Sequence, residues 1–414
     1  MQEQLHRNWR RVLAKYHYYD RRLWLLLIIR MVNSIGFSII LPFISIYLHA
    51  EQHVSMTLIG SIFLGVAVVR SVMQLVGGTS ADKYNRRRVM LFAGVGRTFA
   101  LFLLAVAVLA HLPIYVIGLA IFLAYGFGSM FMPAADALVS DLVLPKDRIE
   151  AYGLQRMGFN LGWAIGPALG GYLASVSYSL IFFLSGLFFV IAVIIIYYYM
   201  PDSKNLSSQS QFNIRDLRKI VTHRTFIIFG LLSMIIFSIL TQIVTTLSVF
   251  SIEVLNISKI QLGYLYTING GVILLFQIYG IRKIKRMTLT RAQSIGAMFA
   301  AASYLVVAIS VNFWWLAVAI ILLTFGEIFF IPAGATLVSN IAPEPLKATY
   351  LGVYGLFQSV GRSIGPFYGG ILADHFLRQP LILWGVLSGI GMVGALGFTV
   401  IQKFLSSNVN QNNR

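Results

Sequence analysis

Residues 162–171 read Gly-Trp-Ala-Ile-Gly-Pro-Ala-Leu-Gly-Gly, and residues 361–370 read Gly-Arg-Ser-Ile-Gly-Pro-Phe-Tyr-Gly-Gly. An offset of 199 residues lays Gly162, Ile165, Gly166, Pro167, Gly170 and Gly171 on Gly361, Ile364, Gly365, Pro366, Gly369 and Gly370. The same offset, with no gap, carries Pro133-Ala134 onto Pro332-Ala333, Leu138-Val139-Ser140 onto Leu337-Val338-Ser339, and Gly153 onto Gly352. One half of the chain therefore repeats the other. In each copy the glycines four apart share a helix face and let a neighbouring backbone approach closely. The proline removes a backbone hydrogen bond and bends the helix. The element reads as a hinge or a tight seam, used twice.

The rest of the chain gives this repeat its setting. Of 414 residues, 58% are apolar and 11% charged, against about 45–50% and about 25% for a soluble domain. That composition excludes an ordinary cytosolic enzyme and a disordered tail protein. A membrane helix needs roughly 20 apolar residues, and twelve such runs occur: 23–48, 57–78, 89–110, 114–140, 152–174, 179–200, 225–250, 261–281, 289–310, 314–341, 348–372 and 381–403. They are continuous apolar blocks without period-2 alternation, hence helices and not barrel strands. The expected organisation is a tail 1–22, a six-helix bundle 23–200, a linker 201–224, a second six-helix bundle 225–403 and a tail 404–414. Equivalent spans start on the same membrane side, so the repeat is parallel, as in transporters that rock two bundles about a midplane site.

Charge sets the orientation. The net charge is +18. With the N-terminus inside, twenty-five of the thirty-two basic residues fall in cytoplasmic segments, and two, Lys259 and Arg378, fall outside. This asymmetry orients membrane segments and does not point to nucleic acid. Both termini are expected in the cytoplasm of a plasma or inner-membrane protein. The first span follows a charged tail without a small-residue cleavage site and reads as retained. Zero cysteines exclude disulfides and thiolate metal sites. His49 and His53 lie four apart with no further ligand set, so no metal is expected, and no cofactor. No GxxxxGK[ST] loop is present to bind ATP. No span carries a His/Asp or Ser/His pair suited to catalysis, so the chain is not read as an enzyme.

The loop after the second span reads Gly78-Thr79-Ser80-Ala81-Asp82-Lys83-Tyr84-Asn85-Arg86-Arg87-Arg88. Span eleven starts on the same side, and an acid beside a helix N-terminus is favourable. Asp82, Lys83, Arg86, Arg87 and Asp141 are therefore expected to form an inner gate. In the second half Asp82 becomes Ile281, while the basic residues persist as Arg282, Lys285 and Arg286. These motifs resemble the major facilitator superfamily over the whole chain. Gly78-x-x-x-Asp82-Lys83-x-x-Arg86-Arg87 is similar to its loop 2–3 signature, with Asn85 where glycine is usual. The Gly166-Pro167 element resembles the fifth-span signature of twelve-span drug:proton antiporters. Gly36 and Pro42 resemble that branch's first-span motif, with Ser45 where a second proline often sits. Gly326-Glu327-Ile328…Pro332 resembles the tenth span of bacterial multidrug exporters, whose acid is implicated in proton or cation binding. The antiporters' fourth-span arginine falls at Phe122 here.

Ionisable residues at bilayer depth are costly and mark functional sites by default. Glu327 lies thirteen residues past Trp314, about 20 Å along the helix, and is the clearest mid-membrane carboxylate. Arg30, Arg70 and Arg97 lie at similar depth with one acid, Asp136, so other acceptors or an anion must satisfy the surplus. Arg156 reads as a capping or gate residue near the inner surface. Asn33, Gln242 and Asn269 are polar groups in spans one, seven and eight; the resemblance makes Asn33 and Gln242 cavity candidates, and helix–helix hydrogen bonding is their other role. The proton and substrate candidates are Glu327, Arg30, Asn33, Arg97, Asp136 and Gln242. The expected fold is all-α, twelve transmembrane helices in two pseudo-symmetric bundles. The expected function is secondary transport by a functional monomer: efflux of hydrophobic or amphipathic small molecules against protons. A carrier of an anionic metabolite or lipid, and a non-transporting scaffold or sensor, are the alternatives.

Overall fold

A computed structural model of the chain describes residues 18–144, 147–202, 220, 222–343 and 346–411, without the side chains of Asp82, Ile149, Ala348, Ser407 and Asn408. The described residues form twelve long helices and no strand. They are α1 (Arg21–Ile46), α2 (Met56–Tyr84), α3 (Arg86–Leu109), α4 (Ile114–Leu142), α5 (Arg148–Val176) and α6 (Tyr178–Tyr199). The second half supplies α7 (Arg224–Leu240), α8 (Lys259–Ile284), α9 (Leu289–Ala308), α10 (Phe313–Ile341), α11 (Lys347–Phe376) and α12 (Pro380–Ile401). A π-helical turn, Tyr47–Glu51, prolongs α1. Among the described residues, nine helices are long and apolar enough to cross a membrane. The other three, α5, α9 and α11, interrupt their apolar runs with polar groups such as Asn160, Ser294 and Gln358.

The described residues group into two compact units. The first draws on Met1–Ile40, Val68–Gly166 and Val176–Ser208. Here α3 packs against both α4 and α6, and Ser179 of α6 donates to the Ala105 carbonyl of α3 (2.8 Å). Leu26, Ile29, Met90, Ala93, Phe131, Leu138 and Ile196 form its buried core at the end bearing the N-terminus. The second unit draws on Gln209–Arg414 together with Leu41–Ala67 and Pro167–Ser175. It repeats the first unit's packing six helices later. Here α9 packs against α10 and α12, and Ser388 of α12 donates to the Ala301 carbonyl of α9 (2.9 Å). Buried hydroxyls that bond a neighbouring helix take the place of a hydrophobic drive, which lipid does not supply.

The span expected at 225–250 is not one helix. It ends at Leu240, passes through a 3₁₀ turn at Thr241–Ile243, and resumes as a two-turn helix at Thr246–Glu253. The break is more polar than its flanks, with Thr241, Gln242 and Thr245 in five residues, yet isolated polar groups also occur in unbroken spans, so composition alone does not reveal it. Side chains satisfy the groups that the break frees, as membrane-buried irregular backbone requires. The Ile243 carbonyl accepts from Ser248 Oγ (3.0 Å) and from the Tyr266 hydroxyl of α8. The chain beyond α12 closes on α9. Asn410 Oδ1 accepts from the Thr290 amide (3.0 Å), and its Nδ2 donates to Thr290 Oγ1 (2.9 Å). Thr288, the residue before α9, supplies no side-chain cap of its own.

Candidate functional site

The α2–α3 turn is pinned on both sides. Asn85 occupies it with φ 125° and ψ 127°, a region that costs any residue with a Cβ. Its Oδ1 accepts from the Arg87 amide (2.9 Å) and so caps α3. Arg86 pairs with Asp141 and donates to the Ala137 carbonyl (2.6 Å), tying the turn to α4. Arg87 reaches the Ile196 and Tyr197 carbonyls of α6 (3.4 and 2.5 Å) and Asp202 (3.3 Å). Lys83 is exposed, with its ammonium 5.1 Å from the Tyr84 ring. The Asp82 side chain lies outside the described part, so the expected cluster is seen as its Arg86–Asp141 pair. Asp202 had no sequence signal: its partner Arg87 is 115 residues away.

In the first unit, Arg30 of α1 meets Asp136 of α4 at 3.4 Å and donates to the Met132 sulfur at 3.1 Å. Arg97 of α3 lies apart from that pair. Its guanidinium stacks 4.0 Å from the Phe189 ring centroid and 5.8 Å from that of Phe37, a cation–π arrangement. Phe37 also touches Tyr125 (5.7 Å) and Trp163 (6.2 Å). Arg97 Nε, the Tyr125 hydroxyl and Asn33 Oδ1 are buried without a partner. Arg70 and Arg156 are exposed.

In the second unit, Asn269 of α8 donates from Nδ2 to Glu327 Oε2 (3.1 Å) and Thr324 Oγ1 (2.8 Å). Glu327 and Thr324 stand three apart on α10 and share a face; the sequence reading did not name Thr324, although that spacing could have pointed to it. Arg362 of α11 and Tyr304 of α9 lie within electrostatic reach of the carboxylate. The Arg362 guanidinium stacks 5.0 Å from Phe237, whose ring meets Phe330 (5.5 Å) and Tyr354 (6.4 Å). Gln242 is committed to protein at both ends of its amide. Nε2 donates to the Gly365 carbonyl (2.8 Å), and Oε1 accepts from Thr246 Oγ1 (2.7 Å).

The two glycine elements seat their helices within each unit. A methyl built on Gly162 would lie 2.5 Å from the Met31 carbonyl oxygen, and one on Gly166 would lie 2.9 Å from that of Ile35. Both contacts are with α1. Neither glycine faces span eight. Span eight is reached by Pro167 and Gly171, five residues beyond Gly162 and Gly166, where a methyl on Gly263 would lie 2.6 Å from the Pro167 carbonyl and one on Gly171 would lie 2.5 Å from that of Lys259. The reason is angular: helix positions five apart point to different sides. In the repeat, Gly361, Gly365 and Gly369 press on Met234, Ser238 and Gln242 of α7 and its 3₁₀ turn. The α1–α5 seam thus recurs as α7–α11. Pro366 contacts Gly60, and Gly370 contacts Met56 of α2.

Known proteins share this arrangement. The chain is 26% identical over 379 residues to YqjV, an MFS-type transporter of Bacillus subtilis, covering 90% of this chain and 91% of that one. It is 25% identical to the multidrug resistance protein MdtH of Salmonella arizonae (92% and 94% covered). Against the quinolone resistance protein NorA of Staphylococcus aureus it is 23% identical (87% and 92%). The crystal structure of the nucleoside transporter NupG superposes with a TM-score of 0.78 at 15% identity, covering 93% of this chain and all of that one. These neighbours are membrane transporters and not enzymes. Residues 26–366 match the family model itself, so twelve helices, a twofold internal repeat and full-length likeness to such carriers meet in one statement: the chain belongs to the Major Facilitator Superfamily.

Proposed function

We propose that this transporter is a proton-coupled exporter of hydrophobic or amphipathic small molecules, acting as a monomer in the plasma membrane with both termini in the cytoplasm. The Glu327–Asn269–Thr324 constellation carries the reading. A carboxylate on a membrane-spanning helix is costly unless used. Asn269 suits a group that changes charge, because its amide can donate to the carboxylate or accept from the protonated acid. Water entering from outside protonates Glu327. Removing the buried charge makes the turn toward the cytoplasm less costly. There the proton leaves, and a cationic or polar cargo takes its place at the carboxylate. Exchange requires that each ligand bind the two states with different affinity. The names of MdtH and NorA support a drug-like cargo, and the aromatic shell of Phe237, Phe330 and Tyr354 supports an apolar one. The excess of basic residues in the segments assigned to the inside supports the orientation.

The test is efflux of a cationic dye from proteoliposomes under an imposed pH gradient. Glu327→Gln holds the residue in its neutral form and is expected to abolish gradient-driven efflux while sparing binding of neutral compounds. Efflux at the parental rate would make Glu327 structural. A second reading, an anion carrier, is favoured by Arg97, which stacks on Phe189 and has its Nε without a partner. An anionic lipid run beside the dye separates the two, since that reading requires the lipid and not the dye to move.

A further inference from the structure

Asp374 stands in the last turn of α11, Lys347–Phe376. A carboxylate there opposes its own helix, whose C-terminal end carries partial negative charge. It faces the start of another helix instead. Asp374 Oδ1 accepts from the Met56 amide at 2.7 Å, and Oδ2 accepts from the Thr57 amide at 2.8 Å and from Thr57 Oγ1 at 2.6 Å. Ser55 Oγ takes the Leu58 amide at 3.2 Å. The first amides of α2, which no helix can satisfy internally, are thus capped by a residue 317 positions away. The backbones beside this contact touch. A methyl built on Gly60 would lie 2.6 Å from Phe367 Cα, and one on Gly370 2.6 Å from the Met56 carbonyl carbon. All these residues belong to the second unit, which takes in Leu41–Ala67 of the first half.

We propose that Asp374 is a gating residue: its bond to the N-terminus of α2 latches the outer end of the α2–α11 seam, and that bond must break for the outer side to open. The inference rests on the alternating-access reading above.

The chain has no cysteine, so Ser45→Cys, at a fully buried site in the same unit, supplies a single thiol for a membrane-impermeant maleimide added outside. Asp374→Asn in this background is expected to raise the labelling rate about fivefold, the ratio that loss of one such contact produces. Thr57→Val, which removes one of the three bonds, is expected to give a smaller rise, and Asp374→Glu to restore slow labelling. Simple structural damage would instead leave Asp374→Glu labelling as fast as Asp374→Asn. Parental labelling in both Asp374→Asn and Thr57→Val, or labelling of Asp374→Glu as fast as that of Asp374→Asn, would overturn the latch. The readout needs no transport: raised labelling without any gradient-driven efflux keeps the latch and removes the exporter reading, while efflux with unchanged labelling does the reverse.

Discussion

At the scale of one residue, Asn85 shows a signature position filled by compromise. Its φ of 125° suits glycine, and a residue with a Cβ there costs about 1–3 kcal/mol. The side chain recovers part of that by capping α3 through the Arg87 amide. Replacing an N-cap Asn by Gly loses only a few tenths of a kcal/mol, whereas Ala loses about 1. Asn85→Gly is therefore expected to stabilise the protein by about 1 kcal/mol and to raise its melting temperature by about 1–2 °C. Asn85→Ala keeps the strain, loses the cap, and is expected to melt lower than the parent. Intrinsic fluorescence during a thermal ramp in detergent measures both. A lower melting point for Asn85→Gly would mean that the side chain's bond to Asp202 (3.1 Å) outweighs the strain.

At the scale of elements, the α1–α5 seam offers a contrast within one protein. A methyl on Gly162 would meet the Met31 carbonyl, whereas one on Gly118 of α4 meets nothing within 4 Å. Gly162→Ala is expected to cost about 1–3 kcal/mol as overpacking. Gly118→Ala is expected to be neutral or to stabilise by up to about 1 kcal/mol through helix propensity. Equal melting shifts for the two would show that the seam relaxes freely. The helices themselves were legible: long apolar blocks have no other solution in a bilayer, and the repeat announced which blocks correspond. The break at Thr241–Ile243 was not, since it depends on Tyr266 and Ser248 supplying bonds to Ile243. The site was legible where a single residue carries it, as with Glu327, and Thr324, three residues before it on the same helix, went unread. It was illegible where distant chain segments meet. Nothing near Arg97 in sequence names Phe189, and the partner of Gly162 is set by a helix more than 120 residues away.

At the scale of the whole molecule, the proposed orientation, which the charge asymmetry of twenty-five basic residues against two supports, makes a testable topological prediction. It puts Val311, between α9 and α10, outside and Leu144, between α4 and α5, inside. They are 70% and 59% exposed, so a thiol at either is open to reagent. In intact cells, Val311→Cys is expected to react with an impermeant maleimide and Leu144→Cys only after permeabilisation. The opposite pattern would invert the chain in the membrane and reassign the Asp374 latch to the inner face.

The bond between Asn410 and the start of α9 has a meaning in time as well as in space. Thr290 leaves the ribosome 120 residues before the side chain that receives its amide. Throughout that interval α9 must enter the bilayer with its first turn unfinished. A chain cut short before Asn410 is expected to leave the Thr290 amide without this acceptor, and the drop in its melting temperature measures what the late bond contributes.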